Sequence, residues 1–297
     1  MLGLSYPQQR KVSPYLLLLP AFLAIAGVIA YPIFRAVVMS FQSYSLMRPA
    51  DIGFIGLGNY VRAIRDEVFW LSLRNTAVYV FASVGFQFLL GFGLALVLNK
   101  RSLLSTVSKN LMLIPWVIPG VLGAFMWRWL FNANYGLIND VLLRLGILSE
   151  RIAWLSRADT AMSAVILTTV WRGMPFFALM LLAGLQAVPD DLYEAARMDG
   201  ARRWQQLLYV TVPVIMPVIV TTTLLRIIWT ANFVDLIYLM TEGGPGYSTQ
   251  VLSVYTFMTA RSTLNYGYSA ALSIFLTLFL MLVVLMYIGR ARKEGIL

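Results

Sequence analysis

"PDDLYEAARMDGARRWQQLLYVTVP", residues 189–213, is a polar segment between two apolar runs, 161–187 and 210–239. Each run is long enough to cross a bilayer, which takes about 20 residues of helix. The segment is therefore a connection between two membrane spans, and it is strongly patterned. Glu194, Ala195 and Ala196 are followed by Gly200, and Pro213 marks the entry to the next run.

Composition supports the bilayer as main solvent. Of 297 residues, 60% are hydrophobic and 12% charged, and the mean hydropathy is +0.76. Soluble domains carry about 25% charged residues. Cys is absent, which excludes disulfides, Cys-ligated zinc and thiol nucleophiles. His is absent too, removing the commonest general base and metal ligand. No G-x-x-x-x-G-K-[ST] occurs, so the chain lacks a Walker-type nucleotide site. These absences predict no catalytic or metal-ligating residues in this chain and no cofactor of its own. Energised work would draw on a partner or an ion gradient. The net charge of +10 does not point to nucleic acid, because the cations sit at the ends of apolar runs, where membrane topology accounts for them.

The apolar blocks predict an all-α membrane protein of one domain over 1–297. Six spans are expected at about 15–41, 75–98, 109–131, 161–186, 210–239 and 269–289, with a connecting loop at 189–209. On one side of the membrane fall eleven cations: Arg10, Lys11, Lys100, Arg101, Lys109, Arg197, Arg202, Arg203, Arg290, Arg292 and Lys293. Five acids accompany them: Asp190, Asp191, Glu194, Asp199 and Glu294. On the other side eight cations meet eight acids. The positive-inside rule puts the first side, and both termini, in the cytoplasm. The first apolar run continues to Phe41, too long for the apolar core of a cleavable signal, so it is expected to be retained.

The polar segment is then a cytoplasmic connection between spans four and five. Pro189 is expected to end the preceding helix, with Asp190 or Asp191 capping a new one. Glu194 falls in or near its first turn, where negative charge is favoured. Gly200 breaks that helix, and a second short helix over 202–209 leads into the next span. Ala195 and Ala196 make a small-residue face that can enter a partner's cleft, beside the charges of Glu194, Arg197 and Asp199. A surface-lying amphipathic loop would lead with cations, whereas this one leads with acids.

These residues resemble a known family. Glu194-Ala195-Ala196, then Gly200, then Val210-x-Val212-Pro213 is similar to the E-A-A-x-x-x-G-x9-I-x-L-P loop of ABC importer permeases, with Val in place of Ile and Leu. "PYLLLLPAFL" (14–23), "YPIFRAVVMSF" (31–41), "FIGLGNYVRAI" (54–64) and "TEGGPGYSTQVLSVYTF" (241–257) resemble its carbohydrate branch, the last of them the maltose-type, larger-partner member of a permease pair. The resemblance covers nearly the whole chain. It implies the type I ABC importer permease fold in the plasma (inner) membrane. It also implies a second homologous permease, an ATPase dimer that binds the ATP and Mg, and an extracytoplasmic solute-binding protein. Glu194, Ala195, Ala196, Asp199 and Gly200 would belong to the coupling helix that docks in the ATPase.

For a substrate pathway, charges inside spans are candidates by default. Arg172 and Arg226 lie among aromatics, in "VWRGMPFF" (170–177) and "LRIIWTANFVD" (225–235). For them a substrate role and a structural pairing with Asp235 stand level. Arg128 reads as a cation snorkelling to the interface. A sugar site needs flat aromatics against C–H faces and fixed polar groups for hydroxyls. Trp116 and Gly120 suit this in span three; Thr169, Trp171 and Phe176 in span four; Trp229, Thr230 and Asn232 in span five. The resemblance points to the same three regions. Gly120, Arg172 and Arg226 depart from the residue types that the maltose-type pattern places there. Trp127, Trp129 and Trp154 read as interfacial anchors. The outer "TEGGPGYSTQ" reads as a turn-rich, flexible loop suited to a binding protein.

The expected function is that of a permease subunit in an ATP-driven, binding-protein-dependent carbohydrate importer. An importer of a polar anion, such as glycerol phosphate or a sugar acid, is the alternative within the family. A gradient-driven carrier would need acidic relays in the spans, which are nearly absent. A membrane enzyme would need His, Cys or clustered carboxylates there.

Overall fold

The computed structural model describes residues 17–99, 103–293 and 295. Arg10, Lys11, Lys100, Arg101, Glu294 and residues 15–16 of the first expected span lie outside the described residues. The described chain is helical, with five helices long and apolar enough to cross a membrane and a sixth, bent pair of segments. It divides into two compact units.

The smaller unit comprises the chain up to Arg65 and Met258–Phe275. Helix α1 (Leu17–Ser40) is apolar and exposed along almost its whole length. Pro32 cannot donate to the carbonyl four residues back and its ring would press on it. The turn before it, Ala26–Ala30, is correspondingly widened to a π-turn. After α1 the chain is pinned by Asn59, buried in α2 (Gly58–Arg65), whose amide donates to the carbonyls of Ser40 and Gln42 at 2.9 Å each. Gly267 lets the backbone at Gln42 and Tyr44 come close, since a Cβ there would meet the Gln42 carbonyl. Arg62 lies over the Tyr268 ring at 4.1 Å.

The larger unit comprises Asp66–Phe257 and the chain from Leu276. Asp66 caps α3 (Glu67–Leu98) by accepting from Val68 N at 2.9 Å. At about 1.5 Å per residue, its 32 residues reach about 48 Å, more than a hydrocarbon core requires. The buried face of α3 is rich in small or polar residues: Ser72, Thr76, Ser83, Gln87, Gly91 and Ala95 recur at helical spacing among larger ones such as Tyr79 and Val84. That face lies against α8 (Ala158–Gln186). Lipid tails are as apolar as the side chains, so close backbone approach rather than hydrophobic burial drives such pairs. Gly91 makes the approach possible: a Cβ there would stand 2.6 Å from Phe177 Cβ and 3.0 Å from the Met174 carbonyl.

The third expected span, 109–131, is not one straight helix. α4 (Leu103–Met112), α5 (Ile114–Val117) and α6 (Gly120–Leu130) replace it, with a 96° bend between Ser108–Val117 and α6. The cause is local. Ile118 precedes Pro119 and is held extended (φ −60°, ψ 127°), and Pro119 has no N–H to continue a ladder. The fifth span is corrected at both ends. It begins at Arg203 and runs unbroken to Ala231 as α10, so no separate helix precedes it at 202–209. A π-turn at Leu207–Thr211 relieves Pro213 as in α1. Beyond Ala231 the chain breaks at 232–234 and resumes as α11 (Asp235–Thr241).

After α6, a connection containing α7 (Leu137–Arg144) is held by one residue. Asn139 is fully buried. Its amide donates to the carbonyls of Asn132, Ala133 and Ile152, and its oxygen accepts from Ile152 N and Trp154 Nε1. Trp154 is thus bonded to the fold rather than serving only as a lipid anchor. Replacing Asn139 with alanine orphans these groups at about 1–3 kcal/mol. A lower thermal midpoint of the detergent-solubilised chain is the expected reading, and an unchanged midpoint would deny the clamp any weight.

Candidate functional site

Within the larger unit, α5, α8, α10 and α11 enclose a cavity of about 220 Å³. Trp116, Thr169, Arg172, Arg226, Trp229, Thr230, Phe233 and Leu236 line it. Six of the eleven sequence-predicted pathway residues therefore meet in one space. The α5–α6 bend and the break after α10 make the space, because each replaces a helix turn with a corner.

The cationic wall is built on a buried network. Arg226 Nε donates to Gln87 Oε1 at 2.8 Å, and Gln87 Nε2 donates to the Thr169 carbonyl at 3.2 Å. The Thr169 hydroxyl donates to the Val165 carbonyl and is 3.1 Å from the Tyr79 hydroxyl. Gly173 is what lets Gln87 and Arg226 meet, since a Cβ there would collide with Arg226 Nη2 and the Gln87 amide. Arg172 is held differently. Its guanidinium lies over the Phe233 ring at 4.5 Å, and its buried Nε has no hydrogen-bond partner. The Thr230 hydroxyl is likewise buried without a partner.

The other predicted residues divide. Phe176 is buried and does not line the cavity itself, but its ring packs on two aromatics that do, 5.1 Å from the Trp229 ring and 6.1 Å from Trp116. Gly120 borders the site; a Cβ there would stand 3.0 Å from Phe233 and 3.2 Å from Arg172 Nη1. Trp171 faces away, edge-on to Trp127 at 5.6 Å, and packs α8 on α6. Asn232 turns back to the Ile228 carbonyl and is exposed. Asp235 is exposed and, among the described residues, makes no ion pair with Arg172, although its field reaches that residue. The Arg–Asp pairing that the sequence left open is therefore absent as a contact. Trp127 is half-buried between Phe131 and Trp171, not an interfacial anchor, whereas Trp129 is exposed. Arg128 is exposed and reaches the Leu239 carbonyl at 3.4 Å.

Sequence reading missed Gln87, Tyr79 and Phe233. For Gln87 a signal existed: it is the one amide in the otherwise charge-free run 76–98. An amide so deep in lipid needs partners.

The other predicted region also has definite geometry. α9 (Asp190–Met198) has Pro189 at its N-cap and no side-chain cap, so Asp190 and Asp191 occupy its first turn instead of capping it. No residue of α9 is buried; Glu194 and Ala195 are exposed, with Glu194 3.8 Å from Arg197. Asp199 ends the helix and Gly200 turns the chain at φ +77°, a left-handed conformation that favours glycine. Tyr193 ties α9 to the base of α10, its hydroxyl 2.9 Å from that of Thr211. Met198, Trp204 and Tyr209 are exposed apolar residues nearby.

The segment 241–250 is not a loose loop. Asn75 donates to the carbonyls of Tyr247 and Gln250, and the buried Thr249 hydroxyl donates to the Gly244 carbonyl. Leu252 N donates to Thr76 Oγ1 at 2.8 Å. Its glycines serve tight turns, Gly243 at φ +83° and Gly246 at φ +53°, rather than mobility.

Known proteins share this sequence and fold. The chain is 37% identical to the sulfoquinovosyl glycerol transport system permease protein SmoG of Agrobacterium fabrum, over 94% of this chain and 90% of that one. It is 36% identical to the trehalose/maltose transport system permease protein MalF of Thermococcus litoralis, over 94% of each. Among solved structures, a chain of a bacterial ABC transporter involved in the import of the acidic polysaccharide alginate superposes with a TM-score of 0.83. That match covers 97% of this chain and 98% of the other at 22% identity, and it shows the fold alone. Residues 87–291 match the family described as binding-protein-dependent transport system inner membrane component, a match that takes in the cavity's four helices, α9 and most of α12 (Tyr266–Lys293). With its bent third span, its exposed α9 and this match over most of its length, the chain belongs to the family of binding-protein-dependent transport system inner membrane components.

Proposed function

We propose that this chain is one of two permease subunits in an ATP-driven carbohydrate importer, and that its cavity is half of the translocation pathway. The observation that carries the reading is α9. It is an exposed helix bearing Glu194-Ala195-Ala196, closed by Gly200 in a left-handed turn, on a chain with no nucleotide motif of its own. A surface with that shape suits a partner that supplies the energy. The partner is an ATPase dimer holding the ATP and Mg, on the cytoplasmic side with both termini. Glu194, Ala195, Ala196, Asp199 and Gly200 form the coupling element. An extracytoplasmic solute-binding protein delivers the cargo. That the relatives named above are permeases for sugar glycosides and disaccharides supports a carbohydrate.

The mechanism is alternating access. ATP closes the ATPase dimer, α9 moves with it, and α10, continuous from Arg203 to Ala231, carries that motion to the cavity wall. The substrate meets aromatic faces at Trp116 and Trp229, backed by Phe176, and polar groups at Thr169, Arg172, Arg226 and Thr230. Both Trp116 and Trp229 are more than 40% exposed, which leaves the cavity open for a second permease to complete. Gentle purification of the tagged chain from native membranes tests the assembly. An ATPase, a second permease and a binding protein should be identified with it by mass. A chain that comes out alone and moves solute in ATP-free vesicles would refute the reading.

A further inference from the structure

We infer that the cavity takes a sugar bearing an acid group, a carboxylate or sulfonate, and that Arg172 and Arg226 are its counter-charges. The inference rests on the importer reading above and deepens it.

Two guanidinium groups line one small space. Arg226 lies within the field of Arg172. Among the described residues neither has a carboxylate within ion-pair distance. The one acid whose field reaches Arg172 is Asp235, which is exposed and outside contact. The groups that hold the two cations are neutral: the Gln87 amide for Arg226 and the Phe233 ring for Arg172. Cations within a membrane span are costly and are found facing a partner charge or a water-filled path. A pair of them without an internal anion is a site that an external anion completes.

The details agree. Arg172 Nε and Thr230 Oγ1 are buried polar atoms lacking partners, and such orphans in a native site call for a ligand or water. A guanidinium presents a planar fork of donors that matches the paired oxygens of an acid group. Gly120 leaves open the approach to Arg172 Nη1 that any side chain would narrow. Trp116 and Trp229 line the same cavity, flat surfaces suited to a sugar ring. At about 220 Å³ the cavity is smaller than the roughly 300–1,000 Å³ of ordinary ligand pockets, so it suits one sugar residue and its acid group. A neutral sugar would leave the repulsion between the two cations uncompensated.

The test uses the whole importer, with its own partner subunits and binding protein, in cells. Uptake of digalacturonate and of 6-deoxy-6-sulfoglucose is compared with uptake of maltose and cellobiose. Uptake of at least one acidic probe, poorly inhibited by the neutral pair, is expected. Arg172→Gln should lower it about ten-fold or more, and Arg172→Lys should keep part of it, with equal amounts of assembled complex. Import of neutral sugars alone would overturn the inference while leaving the importer reading intact, as when an acid from the second permease neutralises the pair. An Arg172→Gln complex that carries the acidic probe at the wild-type rate would overturn it as well. Failure to import any of the four sugars in an ATP-dependent way would refute the carbohydrate importer reading and the inference with it.

Discussion

A single methyl group at Gly173, in Gly173→Ala, is expected to cut uptake at least about ten-fold while leaving the chain folded and in the membrane. The added carbon would occupy the space in which the Gln87 amide and Arg226 Nη2 meet. Both are the ends of flexible side chains, so the collision is relieved by moving them rather than by parting helices. Moving them breaks the 2.8 Å bond from Arg226 to Gln87 and the one from Gln87 to the Thr169 carbonyl. Hydrogen bonds to a charged group contribute about 1.5–3 kcal/mol, which is about one to two decades in an equilibrium. The loss falls on Arg226, which lines the cavity, so transport suffers before stability. The measurement is initial uptake rate beside the yield of assembled complex. Loss of the complex itself would mean that Gly173 serves packing alone. Gly91 is the contrasting case, because there a Cβ would meet backbone atoms of Met174 and Ala178, which cannot step aside.

Gly200→Val is expected to separate ATP hydrolysis from transport. At φ +77° a β-branched residue is strained by about 1–3 kcal/mol, and the turn relaxes to another conformation. No atom stands within 4 Å of the position a Cβ would take, so no clash is added. The fold should survive, since the turn is exposed. The relaxed turn re-aims α9 relative to α10, and with it the face carrying Ala195 and Glu194. Uptake should then fall at least about ten-fold, equivalent to about 1.4 kcal/mol of lost coupling. ATP hydrolysis by the complex should continue but lose its response to loaded binding protein. Uptake at the wild-type rate would remove Gly200 and α9 from the coupling path.

Much of this fold was legible in the sequence, because lipid makes simple demands. An apolar block of about 20 residues has few folded fates. The left-handed turn at Gly200 was legible for the same reason, since glycine alone takes it without strain. The corners were not. The bend at Ile118–Pro119 depends on which prolines kink a helix and which end it, and Pro175 sits inside an unbroken α8. Proline marks a weak point, and the neighbouring helices decide how it is resolved.

The cavity was half legible. Charges and aromatics in spans announce themselves, so Arg172, Arg226, Trp116 and Trp229 could be named in advance. Their positioning residues are quieter. Gln87 and Tyr79 act through bonds across helices, and spacing within one helix does not show which neighbour a side chain will face. Trp171 shows the converse, a residue of the right type one position from Arg172 that packs on Trp127 and does not line the cavity. The 241–250 segment misled because glycine and proline suggest mobility, whereas Asn75, Thr76 and Thr249 fasten it down.

The most direct measurement is sugar uptake into proteoliposomes holding the purified complex, with ATP and the binding protein supplied or withheld. Uptake that needs both, and that stops when either is left out, is the predicted result. Uptake that persists without ATP and follows an imposed ion gradient would contradict the importer function of this chain.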